Sequence, residues 1–379
     1  MIRRLMWAIC QFLYKVTKPL IFIFPPDTTH NAMLKFSIFV GRVTLIRRFV
    51  ALIFKRKASP RLVQNIHGVK FTNPVGLAAG FDKNGEIMPT IAALGFGFGE
   101  VGSVTAEPCD GNPKPWFYRL PKTKSAVVNA GLSNCGSSTV INNINNYVPG
   151  SVNNFPIVLS VAKTNSCDVV SVDAGIADYV ATIKRAKGLK SVQMIELHIS
   201  CPNTHGGEPF TDSAKLEKLM KAVDQVGTNK PIFIKMPVDL PWSKFKSLLD
   251  IIVRHGVAGV TISNLTKDRT KVTIKDDIPD NVKGSFSGKP VWDLSNDLIK
   301  KTYQYYGDKL VIIGVGGVFS AQDAYTKIKL GASMVELITG IIFNGPQLAA
   351  QINDGLVRML KRDGYSHVSD AVGVDSGNN

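Results

Sequence analysis

The chain has 379 residues, 45% of them hydrophobic, with 33 glycines and a formal charge of +16. That length allows two domains, but a barrel of alternating strands and helices also runs this long as one unit, and the composition fits a large buried α/β core. The charge is segregated: residues 1–57 hold 11 Lys or Arg against one acid, Asp27, and the mildly basic remainder argues against a surface built to grip nucleic acid. The five cysteines (Cys10, Cys109, Cys135, Cys167 and Cys201) show no metal-ligand spacing and fit a reduced protein facing the cytosol.

Residues 5–24, LMWAICQFLYKVTKPLIFIF, are apolar and aromatic but interrupted by Lys15, Lys18 and Pro19, short of the ~20 uncharged residues of a spanning helix. No small-residue cleavage site follows, and the basic, apolar character resumes over residues 34–57. This predicts two short amphipathic helices lying in the interface of a membrane, peripheral and on its cytoplasmic face, with cations toward anionic headgroups. Packing of these helices on the rest of the protein, or a true anchor over residues 5–24, are the alternatives. The chain then divides into an amino-terminal segment (1–58), a barrel (59–365) and a tail (366–379), whose last residues are polar and expected to be mobile.

From residue 74 onward, eight β-rich runs alternate with helix-period stretches. The runs are Pro74–Gly80, Phe96–Val104, Pro156–Lys163, Met194–Ser200, Pro231–Pro237, Gly259–Asn264, Leu310–Gly317 and Met334–Gly340. Apolar strands alternating with amphipathic helices predict a parallel sheet closed into a (β/α)8 barrel of the TIM type. Two long links, 105–155 and 265–292, read as lids or substrate loops at its catalytic face.

Chemistry collects where strands end. Met194–Ser200 runs into a Cys-Pro-Asn-Thr turn, in which Pro202 ends the strand and Cys201 and Asn203 sit just past its carboxyl end. Other strand ends supply Lys83 after AAGFD, Ser103, Lys235, Ser263-Asn264, the GVGG of 314–317 and Thr339-Gly340. Two lysines, several amides, a thiol and glycines suited to cradle a phosphate describe a pocket for an anionic, planar, phosphate-bearing cofactor and a small polar substrate. Taken singly, each has a bland reading: a tight turn, an ion-paired core lysine, an inert core thiol.

NPVGLAAGFDKNG, GEVGSVTAEP, ISCPNT, FIKMPVD, SFSGKPV, IIGVGG and GASMVELITG occur in that order. Together they resemble the dihydroorotate dehydrogenase family. FPPDTTHNAMLK and the GYSHVSDAVGVD ending resemble its membrane-associated, quinone-linked class. The resemblance implies an FMN-binding barrel that oxidises dihydroorotate to orotate in pyrimidine (UMP) biosynthesis and passes electrons to a membrane quinone. By the same resemblance, Ala79, Gly80, Lys83, Ser103, Ser160, His198, Lys235, Ser263 and Gly288 would contact FMN, and Gly316, Gly317, Thr339 and Gly340 would hold its phosphate. Lys83, Asn129, Ala130, Gly131, Leu132, His198, Asn203 and Asn264 would surround the substrate, Cys201 would be the base, and His30 and Arg119 would line a quinone passage.

The chain departs from that class at several of these points. Its usual base is a serine, and a cysteine is the base of the soluble class. Asparagine is usual where His198 and Ser160 stand, the leading asparagine of VVNAGLSN falls on Val128, and Leu265 replaces a common hydroxyl residue. With an ordinary pKa near ~8.5, a thiol is an easier base than a serine unless burial prevents it. His198 either tunes Cys201, replaces the missing amide contact, or only fills space. Three other functions stay open on the residues: a soluble-class enzyme using fumarate or NAD, an FMN barrel reducing uridine in transfer RNA, and a non-catalytic membrane flavoprotein.

Overall fold

The computed structural model describes residues 2–55, 57–201 and 203–377. Three helices lead the chain: α1 (Ile2–Ile23), α2 (Pro26–Arg42) and α3 (Thr44–Phe54). The continuous stretch predicted from residue 34 is broken at Val43, whose extended backbone caps one helix and opens the next. Among the described residues no helix is long and apolar enough to cross a membrane. Instead α1 turns Trp7 inward, its indole N–H donating to the Ile53 carbonyl at 3.0 Å, and leaves Leu5, Ile9, Phe12, Val16 and Leu20 exposed.

A hairpin, β1 (Gln64–Ile66) and β2 (Val69–Phe71), precedes the barrel. Then follow β3 (Val75–Asp82), α4 (Met88–Ala93), β4 (Phe98–Val104), β5 (Phe117–Leu120), β6 (Ser125–Val128), α5 (Gly136–Asn145), β7 (Ile157–Val161), α6 (Val172–Ala186), β8 (Met194–His198), α7 (Ser213–Val226) and β9 (Ile232–Met236). The remainder is α8 (Trp242–Arg254), β10 (Gly259–Ile262), β11 (Ser285–Phe286), α9 (Trp292–Tyr306), β12 (Val311–Val315), α10 (Ala321–Lys329), β13 (Met334–Leu337), α11 (Thr339–Asn344) and α12 (Leu348–Arg362). Strands β3, β4, β7, β8, β9, β10, β12 and β13 pair in parallel and close on themselves, the predicted (β/α)8 barrel.

Three layers fill it. At the amino-terminal end Phe71 of the hairpin packs with Phe98, Val158, Met194, Phe233, Ile313 and Met334 into an apolar plug. Above the plug the inward positions turn polar: Glu100, Ser160, Glu196, Lys235, Thr261 and Glu336 are all buried. Above these, at the carboxyl ends, the barrel opens into a cavity.

The two long links meet there rather than lying as free lids. β5 and β6 come from the first and β11 from the second, and they form one antiparallel sheet over Leu120, Val127 and Phe286. The tail docks as well: Val368 and Ala371 are buried, and the amides of Gly373 and Asp375 donate to the Ile328 and Lys329 carbonyls. Asn378 and Asn379 lie outside the described residues, as does Pro202.

Candidate active site

The cavity at the barrel mouth has a volume of about 540 Å³, within the usual range for small-molecule sites. It is continuous from the strand ends out to a second rim between α1 and α2. Ala79, Gly80, Lys83, Ser103, Ala130, Gly131, Leu132, His198, Cys201, Asn203, Lys235, Ser263, Asn264, Gly288, Gly316, Gly317, Thr339 and Gly340 all line it, as do His30 and Arg119. Two expected contacts do not. Ser160 is wholly buried behind the wall, and Asn129 turns away, its side-chain oxygen accepting from the Asn112 amide at 3.0 Å.

Backbone shape makes one rim. Gly316 and Gly317 have φ of +105° and +73°, values that L side chains avoid. A Cβ at Gly340 would fall 2.2 Å from the Val318 carbonyl, so the chain passes there only as glycine. Gly80 is the converse: φ is +110°, yet the nearest atom to a Cβ would be Ile338 Cδ1 at 3.8 Å, leaving bare backbone beside open space.

The floor is electrostatic. Lys235 Nζ stands 3.6 Å from Glu100 and 3.7 Å from Glu196, and Glu336 completes a set of three carboxyls around one ammonium. None of the three glutamates is solvent-exposed, and neither Glu336 oxygen has a hydrogen-bond donor from the described residues. Three carboxylates against one cation would leave buried negative charge uncompensated, so most of the set must hold protons. Burial, with Glu196 next, lifts Glu100 to about 8, and burial with Glu100 holds Glu336 well above the carboxylate range. Burial would raise Glu196 too, but Lys235 outweighs it and keeps it the ionised member. Burial opposes the Lys235 charge, and Glu196 and Glu100 more than restore it.

From Glu196 a chain of hydrogen bonds climbs to the cavity. Ser160 Oγ donates to Glu196 Oε1 at 3.0 Å, and Ser103 Oγ lies 2.9 Å from Ser160 Oγ and 2.6 Å from His198 Nδ1. Asn264 Nδ2 reaches His198 Nε2 at 3.1 Å. An amide nitrogen can only donate, so Nε2 accepts, Nδ1 carries the hydrogen, and the donors point inward: His198 to Ser103, Ser103 to Ser160, Ser160 to the carboxylate. Burial, reinforced by Lys235, pushes the imidazole down to about 3 and keeps it neutral.

Cys201 keeps partial exposure, but toward the enclosed cavity, and burial pushes its thiol up to about 12 despite the Asn203 amide and Lys163. Burial, the condition the sequence reading set against easy ionisation of this thiol, therefore applies here. Asn203 is tied across the mouth, donating to the Val128 carbonyl at 3.0 Å. Lys83 lies over the rings of Trp116 (4.6 Å) and Phe117 (5.1 Å), and burial lowers it to about 8.

The outer rim is apolar with a few polar anchors. His30 packs against Phe81 and Phe117; burial, then Lys83, lowers it to about 4, and its Nε2 is buried without a described partner. Arg119 lies 4.5 Å over the Phe22 ring and donates to the Phe24 carbonyl at 2.9 Å and to Thr29 Oγ1 at 3.0 Å. Tyr14 O–H donates to the Ile342 carbonyl at 2.6 Å, pinning α1 to the barrel.

Sequence reasoning missed Glu100, Glu196 and Glu336. The signal was present: an acid in the middle of an otherwise apolar strand that is buried on both faces has to be paired or protonated.

The family model for dihydroorotate dehydrogenase matches residues 61–360. A dihydroorotate dehydrogenase (quinone) of Deinococcus deserti is 34% identical over 375 residues, covering 96% of this chain and 99% of its own. One from Natronomonas pharaonis is 35% identical over 364 residues, with 96% and 99% covered. The crystal structure of the Eimeria tenella enzyme in complex with ferulenol superposes with a TM-score of 0.79 at 25% identity, over 92% of this chain and 95% of that one. Its ligand-free form gives a TM-score of 0.78 at 26% identity. With the barrel, the glycine rim and the buried lysine already in place, these matches show that the chain belongs to the dihydroorotate dehydrogenase family.

Proposed function

We propose that this chain oxidises dihydroorotate to orotate with FMN in the cavity and delivers the electrons to a quinone through the rim between α1 and α2. The observation that carries the reading is the single continuous cavity, which joins the strand-end site of Cys201 and Lys235 to the apolar mouth of Phe22, His30 and Arg119.

The residues present suit FMN. The amides around Gly316, Gly317, Thr339 and Gly340 would hold the phosphate, bare backbone at Ala79 and Gly80 allows a flat ring to approach, and Lys235 would meet the ring's electron-rich edge. FMN, when bound, supplies the two-electron acceptor. Asn203 and Asn264 offer side-chain amides that match a ring bearing both N–H and C=O groups, and Lys83 offers a cation to the substrate carboxylate. Cys201 would take the proton from C5. A thiol held this high gives little thiolate at neutral pH, so proton removal should quicken as the pH rises.

Residues 1–58 are the membrane-facing part of this reading. Exposed Leu5, Phe12, Leu20, Phe36, Phe39 and Phe49 alternate with exposed Arg3, Lys15, Lys35, Arg42 and Arg48, the pattern of helices resting in a lipid interface. Cys201 is the one feature favouring a soluble acceptor, and the apolar outer rim opposes it.

Anaerobic addition of dihydroorotate to the FMN-loaded protein tests the reaction. Bleaching of the flavin absorbance in the parent, slowed by about 10²-fold or more in Cys201→Ala, is the expected result. A flavin that stays oxidised would overturn it.

A further inference from the structure

The cavity wall holds a group that the reaction as described leaves unused. His198 faces the cavity through Nε2, and behind it stands an unbroken row of hydroxyls that ends on a buried carboxylate. The row crosses three neighbouring strands, β4, β7 and β8, and Ser160 and Glu196 are direct partners in the ladder. Every donor in it points the same way, from the cavity to Glu196. Such an arrangement holds a ring in place, and it is also what a proton needs in order to cross a wall without water.

We propose that His198, Ser103, Ser160 and Glu196 form an inward proton exit, which stores on Glu196 the proton released when the substrate is oxidised. The proposal rests on the dehydrogenase reading, because that reaction supplies the proton. Oxidation breaks two C–H bonds on adjacent carbons. One hydrogen leaves with its electron pair to the flavin, and the other leaves as a proton. Cys201 takes that proton from C5 and hands it across the cavity to His198 Nε2 while the Nδ1 hydrogen passes to Ser103 Oγ, so the sulfur ends as it began. Ser103 passes its own to Ser160 Oγ, and Ser160 passes its own to Glu196 Oε1. No electrons move along the row. Each hydroxyl ends with one hydrogen as it began, His198 changes from the Nδ1–H to the Nε2–H tautomer, and Glu196 becomes a neutral acid.

Two further observations favour this direction. Glu196 is the ionised carboxyl of the set, and its partner is Lys235, the ammonium that also faces the cavity. Negative charge arriving beside Lys235 competes for that ammonium and makes Glu196 a better proton acceptor. Asn264, meanwhile, donates to Nε2 and also to the Ser200 carbonyl. Drawing that amide toward a bound ring uncovers Nε2 as substrate arrives. The other groups facing the row are Glu100 and Glu336, both held protonated, and Tyr179, whose hydroxyl donates to the His198 carbonyl at 2.7 Å.

The test counts protons. The FMN-loaded full-length protein is reduced once by dihydroorotate, without oxygen, in weakly buffered solution near neutral pH with an indicator dye, and flavin bleaching and dye colour are followed together. The parent is expected to bleach without releasing a proton to the dye. Ser160→Ala and Glu196→Gln are expected to release one proton for each flavin bleached, and Ser160→Thr, which keeps the hydroxyl, to retain it. A merely structural role for Ser160 would leave the proton count unchanged. One proton released by the parent, or retention by Ser160→Ala, overturns the exit alone. Absence of bleaching overturns the reaction, and the exit with it.

Discussion

Lys235 is the residue on which the buried polar layer depends, since it is the only cation within reach of Glu100, Glu196 and Glu336 among the described residues. Lys235→Met leaves Glu196 charged and unpaired, so a loss of about 3–5 kcal/mol of stability is expected, together with protein purified without its yellow colour. Chemical denaturation and the absorbance spectrum measure the two effects. At the rim, Gly340→Ala forces a Cβ to within 2.2 Å of the Val318 carbonyl. Overpacking of that kind costs about 1–3 kcal/mol and here shifts backbone at the expected phosphate cradle, so flavin affinity measured by fluorescence should fall roughly tenfold or more. Cys201 sets the pH dependence: with its thiol lifted to about 12, the rate of flavin bleaching by dihydroorotate should climb through the alkaline range. Cys201→Ala should lose that climb.

The amino-terminal helices are elements with two faces. Their inner face is tied down by Trp7, Tyr14 and Arg119, and their outer face is apolar and cationic. Phe36→Glu combined with Phe49→Glu should lower co-flotation with anionic vesicles roughly tenfold or more, because charges replace two exposed aromatics that would enter the lipid in the proposed arrangement. Flotation unchanged from the parent would place the membrane-facing surface elsewhere. The sequence had already shown much at this scale. Eight strand runs and their order could be read from apolar runs alternating with helix period, and strand-end position named Lys83, Cys201, Lys235 and the glycines that line the cavity, whereas His30, Arg119 and Gly288 rested on the family resemblance. Val43 could not be read as a break, because an extended valine between two amphipathic stretches changes neither composition nor periodicity. Nor could the small sheet: β5, β6 and β11 are four residues or fewer, and β11 pairs with β6 across more than a hundred residues of chain. The row from His198 to Glu196 was hidden for the same reason. Its four members lie on three strands, β4, β7 and β8, and barrel register brings them together.

For the molecule as a whole, the buried carboxyls make stability depend on pH in a definite direction. Glu100 has a folded pKa of about 8 against an ordinary value of 4.5, so the folded state binds the extra proton in between, and stability is lost as pH rises toward 8. His198 and Asp82 titrate elsewhere: the histidine's ordinary value is 6.5 and its folded value about 3, and Asp82 sits at about 6 when folded. Between pH 6.5 and 7 the carboxyl layer therefore sets the slope, and above that the buried Lys327 ammonium, lowered by burial to about 7, works the other way. Thermal melting of the parent should fall between pH 6.5 and 7, and more shallowly in Glu100→Gln, which leaves Glu336 as the raised carboxyl of the layer. One cavity runs the length of the site, from a thiol and a lysine at the strand ends to an apolar mouth between two helices. Rapid mixing of the dihydroorotate-reduced protein with a quinone, with fumarate and with NAD tests it most directly as an electron path. Fast reoxidation by the quinone alone, slowed in Arg119→Ala, is the expected result; reoxidation as fast by fumarate or NAD, or none by the quinone, would contradict the proposed electron path.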